Sequence, residues 1–143
     1  MGPHGLEGDR HAQELHQSRS GEVSQNQRQV TAVSTEEVEV LCAAMGVSVF
    51  TPGAMGENLR LSGIMLASLS AGAIIEFESG ARLLVTGQND PCVNAARELS
   101  QTYGPDVGLY FVKQAFGRRG ILARVLTAGA VRPGDSVRVL DPA

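Results

Sequence analysis

Hydrophobic residues recur along the chain with two different periods, which predict two helices among short strands. Ser34-Thr35-Glu36-Glu37 has the form of a helix capping box, and apolar residues at helical spacing follow it as far as Gly46, a typical helix stop. A second helical run follows Asp90-Pro91, with Asp90 as N-cap and Pro91 as first helical residue, and should end near Gly104-Pro105. About six strands are expected, at 30–33, 58–61, 73–78, 81–86, 121–126 and 136–140.

The order of these elements predicts a mainly β, α+β fold. Residues 73–78 and 81–86 flank Ser79-Gly80, which has the form of a two-residue hairpin turn. Because strands and helices do not alternate regularly, the pattern favours a small β-barrel with about two helices at its ends over a doubly wound sheet. The apolar run 107–112 is too short for its period to separate strand from helix. The length of 143 residues suits a single domain over 1–143.

Residues 13–29 are almost entirely polar, with one leucine and one valine. Such a segment cannot bury an apolar face, so we predict a mobile loop. A loop of this length in a compact domain is usually a lid, a binding loop or a disordered segment.

Composition and charge exclude several classes of partner. The net charge is -3, and no basic stripe with interleaved aromatic residues occurs, so we expect no nucleic-acid partner. No run of about 18 apolar residues is present, so we expect no membrane span. The two cysteines are fifty positions apart with no CxxC motif, which argues against a disulfide framework or a structural zinc site. We therefore expect a reducing, cytoplasmic location.

Cys92 is the residue with the clearest chemical potential. At a helix N-terminus its thiol would face unpaired N–H groups and the positive end of the helix dipole, which favour the reactive thiolate. The carboxylate of Asp90 would act in the opposite direction. The alternative is a small buried apolar residue, and this is the reading preferred for Cys42, which lies on the apolar stripe of the first helix.

Three polar clusters accompany this thiol. Arg10 and His11 can grip a phosphate while Asp9 orients them, or the cluster is a solvated turn. Glycine-rich residues 53–56 lead into Glu57 and Asn58, whose acceptor and amide can recognise the edge of a heterocycle. The third cluster would form an anion site if the fold gathers its members, and otherwise its cations are solvated; its members are Arg28, Gln29, Lys113, Arg118 and Arg119.

Several segments, in their order along the chain, resemble motifs of the molybdenum-cofactor sulfurase C-terminal (MOSC) domain family. They are GLEGDRHA (5–12), RQVT (28–31), PGAMGENL (52–59), DPC (90–92), RGILARV (119–125) and GDSVRV (134–139). The resemblance covers residues 5–140. It implies a β-barrel domain that binds the molybdenum cofactor, a pterin with a dithiolene and a phosphate.

The resemblance also implies a role for Cys92 and a set of cofactor-binding residues. Cys92 would carry sulfur as a persulfide or ligate molybdenum, with a sulfur-donor or electron-donor protein as partner. The implied cofactor-binding residues are Asp9, Arg10, His11, Arg28, Gln29, Glu57 and Asn58. Some relatives reduce N-hydroxylated compounds with molybdenum bound in this way, so the resemblance also implies a molybdenum-dependent reductase of such compounds as an alternative function. At the level of the family, pyridoxal phosphate binding is also described.

The N-terminus departs from the family pattern. Family members usually have a strand and a glycine-rich segment before the first motif, whereas this chain starts almost at that motif. One barrel strand is therefore expected to be absent, supplied differently, or lost to a late start site. An open sheet edge there would favour pairing with another chain, and a homo-oligomer could form through it. A non-catalytic interaction module that retains the barrel is an alternative to the cofactor-binding function.

Overall fold

The fold is described by a computed structural model that covers residues 1–9, 12, 15–17 and 23–141, and these residues form eight strands and three α-helices. The strands are β1 (Leu15–Gln17), β2 (Val23–Gln25), β3 (Val30–Ser34), β4 (Leu59–Leu61), β5 (Ile74–Phe77), β6 (Arg82–Gln88), β7 (Ile121–Thr127) and β8 (Val137–Leu140). The helices are α1 (Thr35–Met45), α2 (Val93–Tyr103) and α3 (Pro105–Gln114), and a 3₁₀ helix spans Leu66–Ser68. The predicted mainly β, α+β class is confirmed, although the ambiguous run 107–112 is helical and adds a third helix.

The described residues divide into two compact units, each assembled from separate stretches of the chain. The first unit takes its residues from Met1–Val30, Leu69–Gly87 and Leu122–Ala143, and the second from Thr31–Ser68 and Gln88–Ile121. The single domain over 1–143 stays a prediction.

Six of the described strands belong to one mixed sheet in the order β4-β3-β7-β6-β5-β8. β3 and β4 run parallel, whereas β5 is antiparallel to both β6 and β8, so that Ile75 is opposite Leu83 on one side and Val139 on the other. The predicted hairpin is confirmed, but its loop has three residues (78–80) instead of the two predicted. The N–H groups of Phe77 and Gly80 donate to the carbonyls of Ala81 and Phe77, each at 2.9 Å, and Gly80 adopts a φ of 91° that favours glycine.

β1 and β2 lie within the segment 13–29, which was predicted to be a mobile loop. They pair antiparallel, with Leu15 opposite Gln25 and Gln17 opposite Val23. Backbone pairing of two short strands requires no buried apolar face, and so the hydrophobic pattern could not indicate it. The mobility of the segment stays a prediction.

The predicted capping box of α1 is wrong in its side-chain contacts, although the helix itself is confirmed. Ser34 is the N-cap but makes no side-chain cap bond, and its hydroxyl donates to Glu36 Oε2 at 3.0 Å. Glu37 accepts from the Ala67 N–H at 2.8 Å instead of reaching back to Ser34. A distant loop therefore donates to one oxygen of the carboxylate that the local pattern assigned to the cap, while the other oxygen is buried without a hydrogen-bond partner among the described residues. Gly46 ends the helix with a φ of 71°, as predicted.

The core of the second unit packs the three helices against the segment that contains Phe50 and Met55. Cys42 lies in this core at 3% exposure, and burial raises the pKa of its thiol. The prediction of a core thiol at Cys42 is therefore confirmed. Met55 is also buried, at 1% exposure, and so it anchors the glycine-rich loop (residues 53–56) to which it belongs. In the described part of the chain, none of the helices has the length and apolarity needed to cross a membrane.

Candidate functional site at Cys92

Cys92 is the N-cap of α2, and its side chain is exposed. Its backbone is extended (φ -131°, ψ 161°), and its sulfur accepts from the Ala95 N–H at 3.5 Å. The prediction of Asp90 as N-cap and Pro91 as first helical residue is wrong, because the first helical residue is Val93. The Asp90 carbonyl accepts from a side chain, whereas the Cys92 carbonyl accepts from the Ala96 N–H at 3.1 Å and starts the helical ladder.

Arg119 joins Cys92 to two other segments of the second unit. Its Nη1 donates to the Asp90 carbonyl at 2.8 Å and lies 3.6 Å from Cys92 Sγ, within range of a hydrogen bond to sulfur. Its Nη2 donates to the Met55 carbonyl at 2.9 Å. The guanidinium also lies over the ring of Phe111, 5.9 Å from its centroid. At 8% exposure, Arg119 is a buried cation beside an exposed thiol.

The surroundings of Cys92 lower the pKa of its thiol. Partial burial acts to raise the pKa, but the Ala95 N–H, the Arg119 guanidinium and the Asn94 N–H together lower it further than burial raises it. All three groups stabilise the negative charge of the thiolate. The two cysteines of the chain therefore have opposite character, since the pKa of Cys42 is raised.

Glu57 holds the glycine-rich loop from inside. Its Oε1 accepts from the Gly53 N–H at 2.7 Å, and its Oε2 accepts from the Met55 N–H at 3.0 Å. Arg60 forms an ion pair with it at 3.5 Å. The peptide groups on both sides of Met55 are thus engaged: the N–H contacts Glu57, and the carbonyl contacts Arg119.

Asn58 attaches the end of this loop to β3. Its Oδ1 accepts from the Thr31 N–H at 2.9 Å, and its own N–H donates to the Thr31 carbonyl at 3.1 Å. The Thr31 hydroxyl in turn donates to the Gly56 carbonyl at 3.1 Å. The structure therefore uses the acceptors of Glu57 and Asn58 to shape the loop, and their contact with a pterin stays a prediction.

Three other predicted cofactor-binding residues lie in the first unit. The backbone of Asp9 forms a turn in which its N–H donates to Leu6 and its carbonyl accepts from Ala12. Arg28 is exposed, whereas Gln29 is 3% exposed and its Oε1 accepts from the Val125 N–H at 2.9 Å. Gln29 thus has a structural contact that its sequence position did not indicate. The predicted residues Arg10 and His11 lie outside the described residues.

Arg119 is the functional candidate that the sequence analysis undervalued. It was named only as one of three late cations, and of these it is the one that the structure brings to Cys92. Lys113 is exposed in the last turn of α3, and Arg118 donates to the Gln114 carbonyl at 3.4 Å. The available signal was the position of Arg119 at the start of the motif at 119–125.

The thiolate of Cys92 is suited to bind a soft metal ion. Across residues 1–9, 12, 15–17 and 23–141, no group of three or more His, Cys, Asp or Glu side chains is placed to hold a metal ion. A cysteine thiolate is a soft ligand, and one such ligand fits a cofactor that brings its own dithiolene sulfurs to the metal. Arg119 Nε is buried and has no hydrogen-bond partner among the described atoms, so the guanidinium that contacts this sulfur has one unused donor.

Two surface cavities lie elsewhere in the described parts of the units. The first unit has a cavity of about 670 Å³ that includes Glu76, Arg82 and Arg138 in its lining, and the second unit has one of about 540 Å³ that includes Met65 and Phe116. Neither lining includes Cys92. The candidate site therefore rests on the contacts of the thiol rather than on the size of a cavity.

Comparison with known proteins places the chain in a family. The model of the MOSC domain matches residues 11–138. YuaD of Bacillus subtilis (strain 168), whose name assigns it provisionally to metal-sulfur cluster biosynthesis, is 40% identical over 147 residues, which cover 94% of this chain and 76% of that protein.

Solved structures show the same fold. The crystal structure of the YuaD protein from Bacillus subtilis superimposes with a TM-score of 0.90 at 35% identity, and the match covers 96% of this chain and 81% of that one. YiiM from Geobacillus stearothermophilus gives a TM-score of 0.65 at 25% identity, over 82% of this chain and 56% of that one. The chain belongs to the MOSC domain family, as its ordered motifs predicted.

Proposed function

We propose that this protein binds the molybdenum cofactor and handles sulfur, with Cys92 as the reacting group. The observation on which the proposal depends is the exposed Cys92 thiol at the N-terminus of α2, with Arg119 Nη1 3.6 Å from its sulfur. Membership of the MOSC family supports the proposal, because the family is associated with molybdenum-cofactor sulfurase function. The name of YuaD, which refers to metal-sulfur clusters, is in keeping with sulfur chemistry.

Sulfur carriage requires one exchange between a donor and Cys92. The Cys92 thiolate attacks the outer sulfur of a persulfide on a donor protein, and a new sulfur–sulfur bond forms as the donor's own bond breaks. The donor cysteine leaves as a thiolate, and Cys92 holds the persulfide. No net oxidation or reduction takes place. The lowered pKa of Cys92 favours this attack at neutral pH, because the thiolate is the nucleophile.

Molybdenum ligation is the other role open to the same thiol. Cys92 would supply one thiolate ligand, and the bound cofactor would supply the redox chemistry of molybdenum. In this proposal the loop that contains Glu57 and Asn58 contacts the pterin, and Asp9, Arg10, His11, Arg28 and Gln29 remain proposed contacts to the rest of the cofactor. A donor protein for sulfur or electrons, a homo-oligomer and a cytoplasmic location belong to the same proposal.

The experiment is intact-protein mass spectrometry with elemental analysis. The protein is produced in cells that make the cofactor, and the wild type is compared with Cys92→Ser and with the control variant Cys42→Ala. We expect the mass of one extra sulfur atom, or bound molybdenum with pterin fluorescence, in the wild type and in Cys42→Ala. Cys92→Ser should show neither the extra sulfur atom nor the bound molybdenum and pterin. If neither sulfur nor pterin is found, or if Cys92→Ser retains what the wild type binds, the proposal is wrong.

A further inference from the structure

We propose that Arg119 is a positioning residue that keeps the anionic sulfur of Cys92 at the N-terminus of α2 and couples it to the glycine-rich loop. This inference rests on the proposed function, since it takes Cys92 as the reacting sulfur. It adds a residue that acts through Cys92.

The guanidinium of Arg119 is held in a fixed position. Two main-chain carbonyls, those of Asp90 and Met55, accept from Nη1 and Nη2 at 2.8 and 2.9 Å. Phe111 lies beneath the guanidinium. A planar guanidinium with two anchored donors cannot move away from the sulfur as a flexible ammonium can. The cation therefore stays beside Cys92 in both the thiol and the thiolate forms.

Hydrogen bonds through Arg119 and Met55 connect Cys92 to Glu57. The Glu57 carboxylate accepts from the Met55 N–H, and the Met55 carbonyl accepts from Arg119, which in turn reaches Cys92 Sγ. A change in the loop conformation would move the Met55 carbonyl and with it the guanidinium. The loop therefore influences the reactivity of a thiol that it does not need to touch.

Arg119 also has one donor that forms no hydrogen bond to the described residues. Its Nε is buried and has no hydrogen-bond partner in the described part of the protein, and a buried donor without an acceptor is costly. This donor is therefore available to one further acceptor.

A purely structural role for Arg119 makes different predictions. In that case its replacement lowers the stability of the protein and leaves the reactivity of the folded thiol unchanged. A positioning role moves the pH profile of the thiol. The two roles therefore separate when stability and thiol reactivity are measured on the same variants.

The experiment measures the rate at which iodoacetamide alkylates Cys92 as a function of pH, in a Cys42→Ala background that leaves one cysteine. Arg119→Gln removes the charge, Arg119→Lys keeps the charge but not the two anchored donors, and Arg118→Gln is the control at the neighbouring cation. Urea unfolding of each variant reports its stability.

For Arg119→Gln we expect the midpoint of the pH profile to rise by about half to one unit. The rate near pH 7 should fall only about two- to fourfold, because a thiolate of higher pKa is intrinsically more nucleophilic. Arg119→Lys should lie between Arg119→Gln and the wild type, and Arg118→Gln should match the wild type.

A profile of Arg119→Gln that superimposes on the wild type would overturn the inference. An Arg119→Lys profile that equals that of the wild type or that of Arg119→Gln would also overturn the inference. If Arg119→Gln does not fold, the comparison of Arg119→Lys with the wild type is sufficient. Alkylation needs neither cofactor nor sulfur donor. A shifted profile in a protein that binds neither sulfur nor pterin would therefore support the role of Arg119 and refute the proposed function.

Discussion

Arg119 Nη1 and Cys92 Sγ lie 3.6 Å apart although 27 positions separate the two residues in the chain. Arg119 stands just before Gly120, where an added Cβ would lie 1.8 Å from the Ala32 carbonyl oxygen. Only glycine permits so close an approach of two backbone segments, and its φ of 84° also favours glycine. The pairing of cation and sulfur thus depends on how the backbone next to Arg119 packs against β3.

The two cysteines should differ sharply in reactivity. At about pH 7 in the folded protein, iodoacetamide should modify Cys92, which is exposed and has a lowered pKa, and spare Cys42, which is buried and has a raised one. Intact mass should show one added group in the wild type and in Cys42→Ala, and none in Cys92→Ser. Modification of Cys42 at a rate comparable to that of Cys92 would contradict the burial described here.

Replacement of Glu57 by glutamine should destabilise the glycine-rich loop. Both carboxylate oxygens accept from backbone N–H groups, whereas a glutamine amide has one acceptor and turns a donor towards one of those N–H groups. We expect a loss of about 1–3 kcal/mol in the free energy of unfolding, measured by urea denaturation. Glu39→Gln, on the exposed face of α1, is the matched control and should change stability by less than about 0.5 kcal/mol. Equal stabilities of the two variants would show that Glu57 does not hold the loop.

Gly108 of α3 packs closely against α2, and its replacement by alanine should be destabilising instead of stabilising. In a helix interior, alanine is normally about 1 kcal/mol better than glycine. Here the added Cβ would lie 1.6 Å from Ser100 Oγ and 2.6 Å from the Ala96 carbonyl oxygen. We expect a destabilisation of about 1–3 kcal/mol in thermal or urea unfolding.

The control for this effect is Gly87→Ala, because the space around Gly87 is open to a Cβ. That variant should unfold close to the wild type. Combining Ser100→Ala with Gly108→Ala should restore part of the lost stability, since one of the two close contacts is removed. A Gly108→Ala protein more stable than the wild type would refute the close packing of the two helices.

Acid stability should depend on Glu76 in the first unit. The pKa of its carboxyl is lowered by hydrogen bonds from Arg138 and Arg82, each at 2.6 Å. Because the folded pKa lies below the ordinary value of 4.5, the stabilising contribution is complete above that value and is lost as the pH falls through the folded pKa.

The measurement compares urea midpoints of the wild type and Glu76→Gln. Glu76→Gln should be less stable at about pH 7, and the difference should shrink as the pH falls below the ordinary value of 4.5 and the carboxyl of the wild type becomes protonated. A difference that does not shrink on acidification would show that the ionised form of Glu76 contributes nothing.

Local signals were sufficient for several elements. Gly46 ends α1 because a left-handed residue there suits glycine, and Gly80 ends the hairpin loop for the same reason. Cys42 is in the core because the apolar period of α1 points it there. The ordered motifs identified the family, and Cys92 stands at a helix N-terminus as expected.

Contacts between distant parts of the chain could not be predicted from the sequence, because a side chain or a carbonyl meets such a partner only in the folded protein. Asp90-Pro91 has the local features of a helix start, yet Arg119 takes the Asp90 carbonyl and the helix begins at Val93. Both oxygens of Glu57 accept from N–H groups of its own loop, which its residue type did not indicate, and its contact with a ligand stays a prediction. Gln29 accepts a hydrogen bond from the backbone of a strand 96 positions later, and its contact with the cofactor also stays a prediction. No pattern of residue types within one segment reports such partners.

The anchoring of Arg119 by the carbonyls of Asp90 and Met55 has a consequence for redesigning the site. A main-chain oxygen is present whatever side chain its residue bears. The exposed Asp90 can therefore be exchanged for a neutral or a basic residue without removing either anchor. Position 90 is thus a place where the charge next to Cys92 can be tuned in small steps while the guanidinium stays where it is.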